Sequence, residues 1–304
     1  MNYQTPKKLN TKLSKITIPE NYDYVGVYLT DKCHLNCDYC ITKHHGASFI
    51  GNGDKLESSQ WIEGLNRFVL PKGVPVTLQG GEPFLYKGIW NILDNIEHKA
   101  DILTALPPFL KIENFKNLKS LDWNKREAPY PRIRVSYHKT QHDYRELIER
   151  IAELQEIVSI GLYYLKHPEM NKEEIILLEK YAKKFNVKLR SKDFLGFYKG
   201  KQYGELFYKD AADGIKKDYS VMCKNSVVPI APDGSIYRCH SDLYFKRKGL
   251  ALGTILDDKF EFPLEHLSCS NYGLCNECDI KVKTNHNQVF GYTSVEIRKA
   301  GVRS

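Results

Sequence analysis

Two periodicities alternate along the first two thirds of the chain. Residues 23–30, Asp-Tyr-Val-Gly-Val-Tyr-Leu-Thr, are β-branched and aromatic-rich and predict a strand. A helix is expected from Ser58-Ser59, a candidate N-cap, to Val69, where Pro71-Lys72-Gly73 would end it. Residues 74–79 predict a short strand, with Gly80-Gly81-Glu82-Pro83 as a turn at its carboxyl end. A helix over Lys87–His98 and a strand over Asp101–Leu106 follow. Pro129-Tyr130-Pro131 then introduces a strand at Arg132–Tyr137. Leu147, Ile148, Ile151 and Leu154 give Asp143–Glu156 the i, i+3, i+4 pattern of a helix. A strand at Ile157–Leu165, a helix at Asn171–Phe185 and a strand at Val187–Phe194 repeat the unit. About six strand–helix alternations predict an α/β fold with a parallel sheet, open or closed into a partial (β/α)6 barrel. Chemistry in such folds sits at the carboxyl ends of the strands, where the Gly80–Pro83 turn and Ser136-Tyr137-His138 fall.

The texture changes after about residue 200. Val227-Val228-Pro229-Ile230 and Ser235-Ile236-Tyr237-Arg238-Cys239 flank Asp233-Gly234, a hairpin signature. The reading is therefore a polar N-terminal arm (1–22), a barrel (23–200) and a small α+β cysteine-rich domain (201–304).

Composition narrows the class. Across 304 residues, 42% hydrophobic and 27% charged residues describe a chain long enough to bury a sizeable core. No apolar run approaches the roughly 18 residues of a transmembrane helix, and residues 1–20 contain no signal-peptide apolar stretch. No membrane partner and a cytoplasmic setting are expected. Lys and Arg outnumber Asp and Glu, 45 to 37. The basic residues are scattered, and runs such as Lys246-Arg247-Lys248 and Lys183-Lys184 read as solvated faces rather than a nucleic-acid surface.

The eight cysteines change the picture most. Cys33, Cys37 and Cys40 lie together, none falls between positions 41 and 222, and Cys223, Cys239, Cys269, Cys275 and Cys278 follow. Clustering in a chain without secretory features points to metal rather than to a disulfide scaffold. Three thiolates at x3 and x2 spacing can converge on a polynuclear iron–sulfur cluster. A zinc ion would take a fourth ligand such as His34, His44 or His45. On spacing alone, both stand.

Cys33-His34-Leu35-Asn36-Cys37-Asp38-Tyr39-Cys40 is CxxxCxxC with an aromatic before the last cysteine. Following the first strand, and with Gly80-Gly81-Glu82-Pro83 at the end of the second, it resembles the radical S-adenosylmethionine (SAM) superfamily over roughly residues 23–200. The resemblance implies a [4Fe–4S] cluster on Cys33, Cys37 and Cys40 whose fourth iron chelates SAM. One-electron reduction of SAM then gives methionine and a 5′-deoxyadenosyl radical that abstracts hydrogen from substrate. It also implies that Gly80, Gly81 and Glu82 receive the methionine amino group. Ser136 would help hold SAM, or simply cap a strand end. Tyr39 would pack near adenine, or simply fill core.

Cys223, Gly234 and Cys239 fit the CX9–15GX4C opening of SPASM and twitch auxiliary domains, and Cys275-x2-Cys278 fits their later pair. With five cysteines rather than seven, the resemblance implies one auxiliary [4Fe–4S] cluster on Cys223, Cys239, Cys275 and Cys278, with Cys269 as a further candidate. A four-cysteine structural zinc site is the alternative. Arg134, His138, Tyr163, His167, Arg190 and Asp193 lie near strand ends as candidate substrate contacts, each taken singly reading better as structural or solvated than as catalytic. The leading expectation is a radical SAM oxidoreductase, dehydrogenase-like, oxidising or epimerising a small polar alcohol or sugar and reduced by a flavodoxin- or ferredoxin-type protein. Maturation of a ribosomally made peptide is the enzymatic alternative, and a zinc-stabilised scaffold the non-enzymatic one. The chain end, Ala300-Gly301-Val302-Arg303-Ser304, lacks a Gly-Gly, and the cysteine pattern differs from that of the GTP-cyclising molybdopterin enzyme; both set the chain apart from that group.

Overall fold

A computed structural model describes residues 13–20, 22, 24–40, 56–71, 73–121, 130–245, 247–282 and 293–299. Strand β1 (Ile16–Thr17) precedes β2 (Tyr24–Thr30), and α1 (Ser58–Leu65) leads to β3 (Phe68–Val69), which pairs with β1 in parallel. The helix expected to reach Val69 thus ends four residues early. The reason is tertiary: buried Arg67 donates to the carbonyls of Ser14 (2.6 Å), Ile255 (2.6 Å) and Asp257 (2.7 Å), which pulls the following residues into a strand. Within the segment read as a polar arm, Ile16, Ile18 and Tyr22 are buried in the core.

The alternation then runs β4 (Val76–Gly80), α2 (Ile89–Asn95), β5 (Ala100–Thr104), β6 (Ile133–Tyr137), α3 (Tyr144–Leu154), β7 (Ile160–Leu165), α4 (Lys172–Lys184) and β8 (Leu189–Lys192). Helices start where capping chemistry allows. The Asp143 carboxylate accepts from Arg145 N at 2.7 Å, and Asn171 forms a reciprocal capping box with Glu174. Between β5 and β6 the described residues carry a short 3-10 turn, Ile112–Phe115, in place of an α-helix.

Six strands, β2-β4-β5-β6-β7-β8, lie side by side in parallel, as the α/β pattern predicts. After the hairpin β9 (Gly196–Tyr198) and β10 (Lys201–Tyr203) comes β11 (Val221–Asn225). Next, β12 (Val227–Ile230) adds to the sheet parallel to β2. The Asp-Gly turn, with Gly234 at φ 79°, returns the chain into antiparallel β13 (Ser235–Tyr237). Helix α5 (His240–Tyr244) and β14 (Ala251–Thr254) complete a nine-stranded sheet, so the sheet continues across residue 200. A second, antiparallel sheet places β11 between β15 (Leu267–Cys269) and β16 (Val295–Lys299), with α6 (Glu277–Ile280) beside it.

Strand alternation sorts the main sheet into two faces. Val25, Val27, Leu29, Leu78, Ile102, Ile133, Val135 and Leu162 share one core with Trp61, Leu65, Ile92, Leu147, Ile151 and Leu178 from the helices. The opposite face carries Tyr28, Thr77, Gln79, Asp101, Arg134, Ser136, Tyr163, Arg190 and Lys192. At one end α5 covers it, with Tyr244 and Tyr28 hydroxyls 2.9 Å apart. This polar inner face positions the site.

Candidate functional site

The cysteine loop leaves the carboxyl end of β2. Cys33 is exposed, Cys40 half-buried and Cys37 buried with Tyr39 and Phe194. Local bonds set its shape: Leu35 N approaches Cys33 Sγ at 3.4 Å, and Asn36 N donates to Gln141 Oε1 at 3.2 Å. The Tyr39 ring sits among His167 (4.7 Å between centroids), Phe194 (5.5 Å) and His138 (5.9 Å), which follow the ends of β7, β8 and β6. Burial raises the Tyr39 phenol and lowers His138 to about 3, so His138 is neutral at ordinary pH. His142, whose Nδ1 accepts from His138 N at 3.1 Å, is lowered by burial to about 4. His34 is exposed at the loop, while His44 and His45 lie outside the described residues.

The Gly80-Gly81-Glu82 segment clasps the start of that loop. Gly81 N donates to Thr30 O at 2.9 Å and Glu82 N to Lys32 O at 2.7 Å. A Cβ on Gly80, at φ +146°, would stand 2.4 Å from Thr30 O, and one on Gly81 would stand 2.3 Å from Lys32 O. Glycine is required at both positions by backbone contact alone. The Glu82 side chain is fully buried. Its Oε1 accepts from Thr104 Oγ1 (2.7 Å) and Phe84 N (3.2 Å), and its Oε2 from Ala105 N (2.7 Å). Burial pushes its carboxyl up to about 7 against those three lowering hydrogen bonds. Glu82 therefore ties the ends of β4 and β5 together beneath the loop.

On the inner face, Ser136 Oγ accepts from Lys192 Nζ at 3.3 Å, and that ammonium lies 5.1 Å over the Tyr163 ring. Burial lowers Lys192 to about 7, with Arg134 and Lys281 adding to the effect. Arg134 pairs with buried Asp101 at 2.9 Å, and both Arg134 and Arg190 approach the Tyr130 ring. Asp193, by contrast, is exposed and pairs with Lys166 at 3.0 Å. Lys192 and Asp101 were missed by sequence reasoning. The available signal was alternation: Lys192 stands two residues after Arg190 on one strand, and so on the same face.

The later cysteines fall around β11, β15 and α6. Cys223 and Cys269 lie diagonally across paired β11 and β15, Cys223 lowers the Cys269 thiol, and Cys275 stands within their electrostatic reach. Arg238 acts on all three and on Cys239, whose Sγ accepts from Asp242 N at 3.4 Å. Burial raises the Cys239 and Cys275 thiols. A polar frame holds the region. Asp242 binds Arg238 (2.7 Å) and Arg247 (2.8 Å), while Asp279 takes His240 Nδ1 (2.7 Å) and Asn225 Nδ2 (3.1 Å). Cys278 acts on Lys192, at the edge of the inner face.

A family model described as the Radical SAM superfamily matches residues 27–182, just over half of the chain. The chain belongs to the radical SAM superfamily. A GTP 3′,8-cyclase of Clostridium perfringens (strain SM101 / Type A) is 28% identical over 212 residues, covering 66% of this chain and 64% of the relative. One from Aquifex aeolicus (strain VF5) is 27% identical over 187 residues, covering 56% and 55%. The chain thus spans under two thirds of the length of these relatives. They carry the name of the GTP-cyclising group that the sequence was expected to stand apart from; these partial matches, under 30% identical, support the superfamily and not the reaction. The crystal structure of Streptococcus suis SuiB bound to precursor peptide SuiA has a TM-score of 0.55 at 14% identity, covering 80% of this chain and 64% of that one, a likeness of fold.

Superfamily membership brings a [4Fe–4S] cluster and SAM. The donor chemistry of the first loop fits the cluster: its three cysteines are thiols at the mouth of the polar face. Among the described residues no three His, Cys, Asp or Glu side chains are gathered round a single-ion site. Thiols that each hold a different iron need no such gathering. No described helix is long and apolar enough to cross a membrane.

Proposed function

We propose that this enzyme cleaves SAM reductively at Cys33, Cys37 and Cys40 and abstracts hydrogen from a small polar substrate, of alcohol or sugar type, held on the inner face. When bound, the reduced cluster would give one electron to SAM, whose C–S cleavage would yield methionine and a 5′-deoxyadenosyl radical. The chain's residues orient and enclose. Gly80 and Gly81 hold the cysteine loop against β4, and their segment is the amino-group site of the family. Tyr39, His138 and His167 wall the loop with mutually packed rings that exclude water. Ser136 presents a hydroxyl beside Lys192. The observation that carries the reading is the polar layer of Gln79, Asp101, Arg134, Ser136, Tyr163 and Lys192 on the face above which the cysteine loop sits.

Cys223, Cys239, Cys269 and Cys275, gathered around Arg238, suit a second [4Fe–4S] cluster that would take the electron left on an oxidised substrate, with a flavodoxin- or ferredoxin-type protein as reductant. Of the four ligands expected from the sequence, Cys278 is the one that acts on Lys192, and the proximity of Cys269 to Cys223 across β11 and β15 favours Cys269 in its place. A nucleotide cyclisation is the second reading, favoured by the names of the curated relatives.

The test is reduction with dithionite in the presence of SAM and perdeuterated polyols, aminocyclitols, GTP or peptides. The proposal predicts 5′-deoxyadenosine carrying one deuterium from a polyol, a polyol phosphate or sugar acid, or an aminocyclitol, likewise perdeuterated. Transfer from GTP or a peptide alone, or no 5′-deoxyadenosine at all, would overturn it.

A further inference from the structure

Among the described residues, the inner face gathers cationic side chains around Lys192. Among the described residues, the partners of Lys192 Nζ are neutral, the Ser136 hydroxyl at 3.3 Å and the Tyr163 ring at 5.1 Å. The charged groups that act on it are two cations, Arg134 and Lys281, together with the Cys278 thiol. Among the described residues of β2 and β4–β8, Asp101 is the one carboxylate, and Arg134 pairs with it at 2.9 Å. Arg190 stands on the same face of β8 and contacts the Tyr130 ring at 5.4 Å. A half-buried ammonium flanked by two further cations is costly to hold without a counter-charge. The same arrangement focuses a positive potential into a recess walled by strands. Lysine is a point-charge binder of oxyanions, and a neighbouring hydroxyl adds a donor of its own.

We infer that Lys192, with Ser136 and Lys281 beside it, receives an oxyanion of the substrate, a phosphate or a carboxylate, so that the enzyme acts on an anionic metabolite. The inference rests on the radical SAM reading of the same face and narrows its substrate class. Substrate would enter with its anionic group toward β8 and its reacting carbon toward the cysteine loop. The methionine carboxylate of SAM is the other oxyanion able to occupy such a place.

Calorimetric titration of the anaerobically reconstituted full chain separates these cases, with pyrophosphate and tricarballylate as probes and SAM titrated in parallel. At least one probe is expected to bind the wild-type protein, and Lys192→Gln to weaken it about 10- to 100-fold, the range for losing one charge-assisted contact. Lys192→Arg, which keeps the charge, is expected to stay within about threefold. Lys281→Gln, at the edge of the site, is expected to weaken the probe about threefold or more, and stands in should Lys192→Gln not fold. The loss on the probe is expected to exceed the loss on SAM by about tenfold. No probe binding by the wild type, or equal binding by both glutamine variants, overturns the inference. Equal weakening of SAM and probe assigns the site to the methionine carboxylate and overturns it as well. Failure of the radical reading shows separately, as absence of 5′-deoxyadenosine from the wild type, which a binding titration does not register.

Discussion

Glu82→Ala is expected to lower the thermal midpoint of the SAM-free protein by roughly 5–10 °C, a loss of about 3 kcal/mol or more. The carboxylate is fully buried and accepts from Thr104 Oγ1, Phe84 N and Ala105 N. Alanine would leave two backbone amides and a hydroxyl without their acceptor in a site closed to water. Each orphaned buried donor costs about 1–3 kcal/mol, partly offset because a carboxyl that burial pushes toward about 7 is itself expensive to hold ionised. Differential scanning fluorimetry of the apo protein checks it. A residue whose sole task is to receive the SAM amino group would leave the SAM-free midpoint where it was.

Gly81→Ala is expected to be at least as damaging, and to reach the cysteines. The new methyl would lie 2.3 Å from Lys32 O, 2.7 Å from Lys32 C and 2.8 Å from Asp31 O, all of them backbone atoms that cannot swing aside. Relief requires Asp31 and Lys32 to move by most of an ångström, which breaks the bonds from Gly81 N to Thr30 O and from Glu82 N to Lys32 O. Because Cys33 follows directly, the expected result is a destabilisation of about 3 kcal/mol together with loss of most of the iron bound at the first loop. Gly249→Ala, with nothing within 4 Å of its Cβ, serves as the matched control and is expected to change stability by less than about 0.5–1 kcal/mol. Iron content and unfolding midpoint, measured on both variants, decide the matter. A Gly81→Ala protein with wild-type iron would show that the clasp does not position the loop.

The parallel sheet was legible because its strands are buried on the helix side by a plain alternation of Val, Ile and Leu, and because Asp143 and Asn171 mark helix starts by their own capping chemistry. What escaped depends on partners distant in sequence. The end of α1 is set by Arg67 reaching Ile255 and Asp257. The burial of Ile16 and Ile18 follows from β1 finding β3. The hairpin at Asp233-Gly234 was read locally, but nothing local says that β12 would pair with β2 and join the main sheet. The proximity of Cys223 to Cys269 has the same origin: antiparallel β11 and β15 pair Val221 with Cys269, which puts the two cysteines diagonally on one face. The Gly-Gly of the turn was legible as a motif, whereas its reason, contact with Thr30 and Lys32 backbone, needed coordinates.

The measurement that bears most directly on the whole account is iron and acid-labile sulfide per chain after anaerobic reconstitution, in the wild type and in a Cys33/Cys37/Cys40→Ala variant. The account predicts about eight irons and eight sulfides falling to about four of each, with loss of all SAM cleavage. About four falling to none would leave the radical centre and remove the second cluster. A protein that binds zinc and no iron would contradict the account.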